Sequence, residues 1–186
     1  TQNIRLGIKD LQQGDDFHMY KEADTIKCRE LMIKLYKERA EQYGIDGTVL
    51  LLPYRKGPIG TIEMNKHLQE ALNPKDETKR EVKVGGNIYR VGDVVMHVNC
   101  NTAMVSNGDT GIICDITEID GNVQVTVRIN ENTIIYDRAM LENLTLAYSI
   151  SIHKSQGSEY PSVITCITAH FEALLYRCIP YVSFSR

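Results

Sequence analysis

Apolar residues change their spacing twice along the chain. Leu31, Met32, Leu35, Tyr36 and Ala40 recur at helical intervals between Asp24, a residue type that caps helix starts, and Gly44, one that ends them. Glu30 and Lys34 stand four apart on the same segment, where opposite charges support a helix. Val49 to Leu52 is then an unbroken apolar run, which predicts a strand buried on both faces of a parallel sheet and ended by Pro53. After the loop Tyr54–Gly60, Thr61 is the expected cap of a second helix. Met64, Leu68, Ala71 and Leu72 form its buried face and Asn73-Pro74 stops it. Residues 75–83 are a charged linker, and the spacing changes beyond it. Ile88–Arg90, Val94–Val98, Gly111–Ile116, Val123–Ile129 and Thr133–Tyr136 are short strands separated by Gly92-Asp93, Asn107-Gly108-Asp109 and Gly121-Asn122. Val123, Val125, Val127 and Ile129 alternate with polar residues, the period of a half-buried antiparallel strand. So many short strands in so few residues predict a small barrel. The first pattern then returns, with strands at Leu144–Ile152 and Ser162–Thr168 and a helix at Glu172–Ile179 that Pro180 ends or bends. The expected fold is α/β, with a parallel-sheet domain formed by residues 1–82 and 143–186 and a small β-barrel inserted at 83–142.

Composition changes this picture little. The 186 residues are 42% apolar and 24% charged, as in ordinary globular domains. The formal net charge of -3 does not favour nucleic acid, so any such binding must come from a local cluster. The five cysteines (Cys28, Cys100, Cys114, Cys166 and Cys178) are odd in number and contain no CxxC pair. That argues against a disulfide framework or zinc site and for structural thiols in a reducing cytoplasm. His18, His67, His97 and His170 share no ligand spacing with Cys or carboxylates, so no metal site is expected. No apolar run is long enough to cross a bilayer, the first residues do not resemble a signal peptide, and no membrane partner is expected. Both ends read as cuts in a longer protein.

The segment richest in chemistry is Ser151-Ile152-His153-Lys154-Ser155-Gln156-Gly157-Ser158-Glu159-Tyr160, between two expected strands. Its charge, hydroxyl and amide donors, with a glycine that lets backbone approach a ligand, suit phosphate oxygens; an ordinary polar loop is the plain alternative. The segment resembles motif V of superfamily 1 helicases of the RecD/TraA family, whose usual form there is close to Thr-Ile-His-Lys-Ser-Gln-Gly-Ser-Glu-Phe. Ser151 and Tyr160 replace the first and last residues and keep a hydroxyl and a ring. Pro53-Tyr54-Arg55-Lys56-Gly57-Pro58-Ile59-Gly60, with Asn65, Leu68-Gln69 and Leu72-Asn73-Pro74, is similar to the same family's motif IV region; Met64 stands where Leu is usual. Gly92-Asp93-Val94-Val95-Met96, Asn99 and Asn107-Gly108-Asp109-Thr110-Gly111 resemble the SH3-like barrel inserted in that family's second motor domain. Leu174 to Arg186 resembles motif VI, with Ser183 in place of the usual Ala.

The resemblance implies a RecA-like (P-loop NTPase-type) second motor domain of an ATP-dependent DNA helicase like the exodeoxyribonuclease V alpha subunit. Such a helicase moves 5′ to 3′ on single-stranded DNA in recombination, repair or conjugation. It implies Arg186 as an arginine finger, and Arg55 or Lys56 as a second phosphate-sensing cation. Gly157 and Glu159 would stand on the ATP side of motif V, and Ser151, His153, Lys154, Ser155 and Gln156 on its DNA side. Guanidinium suits such a role because its planar fork stays charged and grips phosphate bidentately. ATP and Mg²⁺ would belong to the full-length protein. Its partners would be single-stranded DNA, the first RecA-like domain and other subunits of a helicase–nuclease complex. The chain contains no Gly-x-x-x-x-Gly-Lys-Ser/Thr, and no Asp-Glu pair follows a strand, so alone it is expected neither to bind ATP tightly nor to hydrolyse it. Arg90 and Arg128 are weaker candidates for DNA contact, against a solvated barrel face. The competing expectations are a non-catalytic nucleic-acid-binding module and a partner-docking domain.

Overall fold

The computed structural model describes residues 17–99, 101 and 104–167. Helix α1 spans Thr25–Tyr43 and is capped as expected: the Asp24 side chain accepts from the Ile26 and Lys27 amides, and Gly44 ends it at φ 81°. Its buried anchors are Met32 and Tyr36, and the Tyr36 hydroxyl donates to the Thr48 carbonyl at 2.7 Å. The expected Glu30–Lys34 pair is replaced by an exposed Lys34–Glu38 contact at 3.9 Å.

Strand β1 (Thr48–Leu52) is buried along its whole length, as its unbroken apolar run requires. It is the centre of a three-stranded parallel sheet, flanked by two strands late in the chain, Ser149–Ser151 and Ser162–Thr165. Helix α2 (Thr61–Leu72) begins one residue earlier than expected. Gly60 is its cap, and Thr61 is buried inside the first turn with its carbonyl accepting from Ser149 Oγ.

The charged segment after α2 contains a strand the sequence reading missed. Glu81–Val84 (β2) pairs antiparallel with Asn87–Arg90 (β3) through a two-glycine turn. Its pattern of exposed charges alternating with half-buried valines is a strand at an edge, too short and too charged to stand out. Val94–His97 (β4), Thr110–Ile119 (β5), Asn122–Ile129 (β6) and Asn132–Asp137 (β7) then form an antiparallel sheet. Val125, Val127 and Ile129 are buried, as the alternation of β6 predicts. The sheet runs in the order β7-β6-β5-β4-β8, where β8 is Leu144–Leu146.

The stretch expected as one strand over 144–152 is therefore two. Leu144–Leu146 completes the antiparallel sheet beside β4, Ala147-Tyr148 turns, and Ser149–Ser151 (β9) joins β1 in the parallel sheet. A single apolar run conceals the change because both halves are buried. Ser162–Thr165 (β10) closes the other side of β1. The helix expected at 172–179 lies outside the described residues. No helix among them is long and apolar enough to cross a membrane.

Candidate functional site: a cationic sheet rim braced by a buried aspartate

Because β1, β9 and β10 are parallel, their carboxyl ends share one rim, the edge where open α/β sheets bind ligands. Two loops leave it side by side, Pro53–Gly60 after β1 and Ile152–Ser155 after β9. The first is held by its own backbone: Thr61 N donates to Tyr54 O at 3.0 Å, Ile62 N to Arg55 O at 3.1 Å and Gly60 N to Gly57 O at 3.0 Å. These bonds also occupy the first amides of α2. Gly60 is required here, because a Cβ would stand 2.5 Å from the Lys56 carbonyl oxygen and 2.8 Å from that of Arg55. The closed loop presents Arg55 and Lys56 to solvent.

The second loop is a short 3-10 turn, Ile152–Ser155. Ile152 is buried, His153 and Lys154 are exposed, and Gly157 at φ 92° releases the chain from the turn. The Lys154 ammonium is within electrostatic range of Arg55. Its pKa is held below the ordinary lysine value, first by partial desolvation at the rim and then by the Arg55 charge. Among the described residues no carboxylate pairs with Arg55, Lys56 or Lys154.

The sequence-derived residues divide on this frame. Arg55, Lys56, His153, Lys154 and Gln156 are exposed on the two loops. Ser151 is half-buried inside β9 opposite Leu52. Ser155 is fully buried, with its hydroxyl bonded to the Ile152 carbonyl at 2.8 Å, so it shapes the turn and offers nothing to DNA. Glu159 is not brought to the Arg55 rim. The chain crosses back between Gln156 and Pro161 to start β10 at the amino end of β1, where Thr48 stands opposite Ser162. There Glu159 lines a cavity of about 260 Å³ with Asp46, Thr110, Arg128 and Tyr160, roughly one strand length (about 15 Å) from Arg55. Arg186 lies outside the described residues. Arg90 is not free for DNA: it is 4% exposed, ion-paired with Glu70 at 2.7 Å and Glu81 at 3.1 Å, and donates to Asn73 O at 3.0 Å. Arg128 is exposed beside Glu159. Among the described residues no group of three His, Cys, Asp or Glu could hold a metal ion.

The element that sequence reasoning missed is the brace behind the rim. Asp93, expected only as a turn residue, is fully buried where α2, the barrel and β9 meet. Its carboxylate accepts from Gln69 Nε2 at 2.5 Å, Asn73 Nδ2 at 2.7 Å, Arg90 N at 2.7 Å and Tyr148 OH at 2.8 Å. Burial still holds its pKa above the ordinary aspartate value, against the lowering effect of these donors. Asn65 and Gln69 on one face of α2 and its C-cap Asn73 follow at i, i+4 and i+8, and all three are buried at the barrel junction. Asn65 donates to Leu146 O at 3.0 Å and Ser149 O at 2.9 Å, and accepts from Ser149 N at 2.7 Å. Gln69 also reaches Ile88 O at 2.8 Å, and Asn73 reaches Val91 O at 3.1 Å. A signal was available: three carboxamides on a buried helix stripe must find buried partners.

Comparison with known proteins bears on what this frame belongs to. Residues 64–128 match the model of the ATP-dependent RecD-like DNA helicase SH3 domain. The ATP-dependent RecD2 DNA helicase of Deinococcus radiodurans is 30% identical over 138 residues, 74% of this chain and 18% of that protein. The chain belongs to the RecD-like helicase family. The RecBCD enzyme subunit RecD of Buchnera aphidicola is 31% identical over 70% of this chain and 21% of that protein. The chain thus spans about a fifth of the length of these RecD-like relatives. The Pif1 helicase structure from Candida albicans covers 86% of this chain and 51% of its own, at 14% identity and a TM-score of 0.49, too loose to bear on function.

Proposed function

We propose that this RecD-like region is the second, RecA-like motor domain of a cytoplasmic ATP-dependent DNA helicase that moves 5′ to 3′ on single-stranded DNA, with its SH3-like barrel inserted at 83–142. The observation that carries the reading is the placement of Arg55 and Lys154 on adjacent exposed loops at one rim of the sheet. The two cations feel each other's charge there, and neither has an ion-pair partner among the described residues. Like charges so placed repel, and a polyanion relieves the cost.

In this reading Arg55, with Lys56 beside it, meets the phosphates of ATP held by the first motor domain. Arg186 supplies the arginine finger, which stabilises charge developing on the transferred group. Lys154, His153 and Gln156 hold the DNA backbone, while the buried Ser155 keeps their turn in shape. Gly157 gives the turn its exit. Glu159 serves the junction with the barrel rather than the phosphate rim. ATP brings its own phosphates to the cations, and this region's share is to bind and orient them. Mg²⁺ would be held with the phosphates by the first domain. The Asp93 brace would keep barrel, α2 and β9 in one body, so that rim and barrel move together as the two motor domains close.

The test is ATP turnover by the intact protein with and without single-stranded DNA. Turnover stimulated by DNA supports the motor. Salt-sensitive DNA binding without any turnover supports a non-catalytic module, and salt-insensitive peptide binding supports a docking domain.

A further inference from the structure

Cys28, in the first turns of α1, and Cys166, just past β10, come together although 138 positions separate them in sequence. Their Sγ atoms are 3.6 Å apart. Cys28 is half-buried and Cys166 buried, whereas Cys114 on the barrel is exposed. Cys166 N lies 3.4 Å from the Leu51 carbonyl, so the pair sits at the same carboxyl rim from which the Arg55 loop departs. Van der Waals contact between thiols leaves about 1.5 Å to close before a disulfide forms, less than one side-chain rotamer change moves a sulfur. No spacing in the chain pairs them, because only the fold joins the two elements.

We propose that Cys28 and Cys166 form a redox-responsive dithiol, oxidised reversibly to a disulfide that ties α1 to the end of β10. The co-reactant is a hydroperoxide. It first meets Cys28, the more accessible thiol: the O–O bond breaks, Cys28 becomes a sulfenic acid, and one alcohol or water leaves. Cys166 sulfur then attacks the Cys28 sulfur, the S–S bond forms, and the sulfenic oxygen leaves as water with the Cys166 proton. Two electrons pass from two thiols to one hydroperoxide. Burial and the neighbouring Cys28 push the Cys166 pKa up to about 12, so at neutral pH little thiolate is present to attack. The second step is therefore slow and quickens with pH, which makes the pair responsive to sustained oxidation rather than to a passing pulse. Once closed, the bond constrains a long loop of the unfolded chain and fixes the α1 start against the rim.

The experiment treats the intact protein with hydrogen peroxide at pH 7 and pH 9, blocks remaining thiols by alkylation, and maps peptides by mass spectrometry without reduction. The expected result is one dominant linked peptide joining Cys28 to Cys166. It forms faster at pH 9, is reversed by dithiothreitol, is absent in Cys28→Ser and is retained in Cys114→Ser. The oxidised protein melts a few degrees higher than the reduced one. Recovery of Cys28 and Cys166 on separate peptides, or preferential linkage of either to Cys100, Cys114 or Cys178, overturns the proposal. The mapping on the unsubstituted protein decides the matter even where Cys28→Ser folds poorly.

Discussion

Replacing Asp93 by Ala removes the acceptor on which four buried donors converge: the side chains of Gln69, Asn73 and Tyr148 and the amide of Arg90. A hydrogen bond to a charged group contributes about 1.5–3 kcal/mol, and an orphaned buried donor costs about 1–3 kcal/mol. The four bonds share one carboxylate and do not add, and that carboxylate is itself costly to bury. The expected loss is about 3–5 kcal/mol, as when one partner of a buried charged network is removed. Asp93→Asn keeps the shape but turns an amide donor toward other donors. Relief needs the Gln69 or Asn73 carboxamide to flip, which breaks its bond to Ile88 O or Val91 O. About 1–3 kcal/mol is expected for that variant. The pH dependence has a definite sign. The folded pKa of Asp93 is raised above the unfolded value, so in the window just above that value the folded state holds more protons. In the window this aspartate makes stability fall as pH rises, and Asp93→Asn abolishes that contribution. Urea denaturation at pH 7 and at several pH values down to 4 measures both effects. Stability of Asp93→Ala within about 0.5 kcal/mol of the parent would refute the brace, since surface substitutions give changes of that size.

Other substitutions probe neighbouring parts of the account. Asn65→Ala leaves Leu146 O, Ser149 O and Ser149 N without their bridge and should cost about 2–4 kcal/mol in chemical denaturation; a neutral result would show that water replaces the carboxamide. Gly60→Ala sets a Cβ 2.5 Å from the Lys56 carbonyl oxygen, so the loop must open, and a loss of about 1–3 kcal/mol with weakened nucleic-acid binding is expected. Tyr148→Phe removes one donor from Asp93 and should cost about 1–2 kcal/mol by thermal denaturation. Lys154→Gln should weaken single-stranded DNA binding and reduce the steepness of log K against log salt by about 0.7, the share of one phosphate contact; an unchanged slope would remove Lys154 from the strand path.

Long periodic or unbroken apolar segments were legible in the sequence. Asp24 and Gly44 bound α1, the run Val49–Leu52 is a central buried strand, and the alternation from Val123 to Ile129 names the barrel face. Elements whose identity depends on a partner were not. Glu81–Val84 is a strand because Asn87–Arg90 pairs with it, and nothing in its own four residues outweighs their charges. Leu144–Ser151 changes sheets at Tyr148 because β4 claims one half and β1 the other. The same limit applies to the site. The motif residues pointed to two cation-bearing loops, and the fold sets Arg55 and Lys154 on one rim; but the run from Ser151 to Tyr160 could not show that it spans the sheet from rim to rim. That crossing separates Lys154 from Glu159, and the turn before it buries Ser155. Asp93 was invisible as a centre because its side-chain donors Asn73, Gln69 and Tyr148 lie 20, 24 and 55 positions away in the chain.

The central claim is that the Arg55 guanidinium, on the same sheet rim as Lys154, answers to the phosphates of ATP. Steady-state ATP turnover of the intact protein, saturated with single-stranded DNA, should fall about a hundredfold or more in Arg55→Ala and recover only partly in Arg55→Lys, whose ammonium keeps the charge but not the fork. Turnover within twofold of the parent in Arg55→Ala, with the protein folded and DNA bound, would contradict the claim.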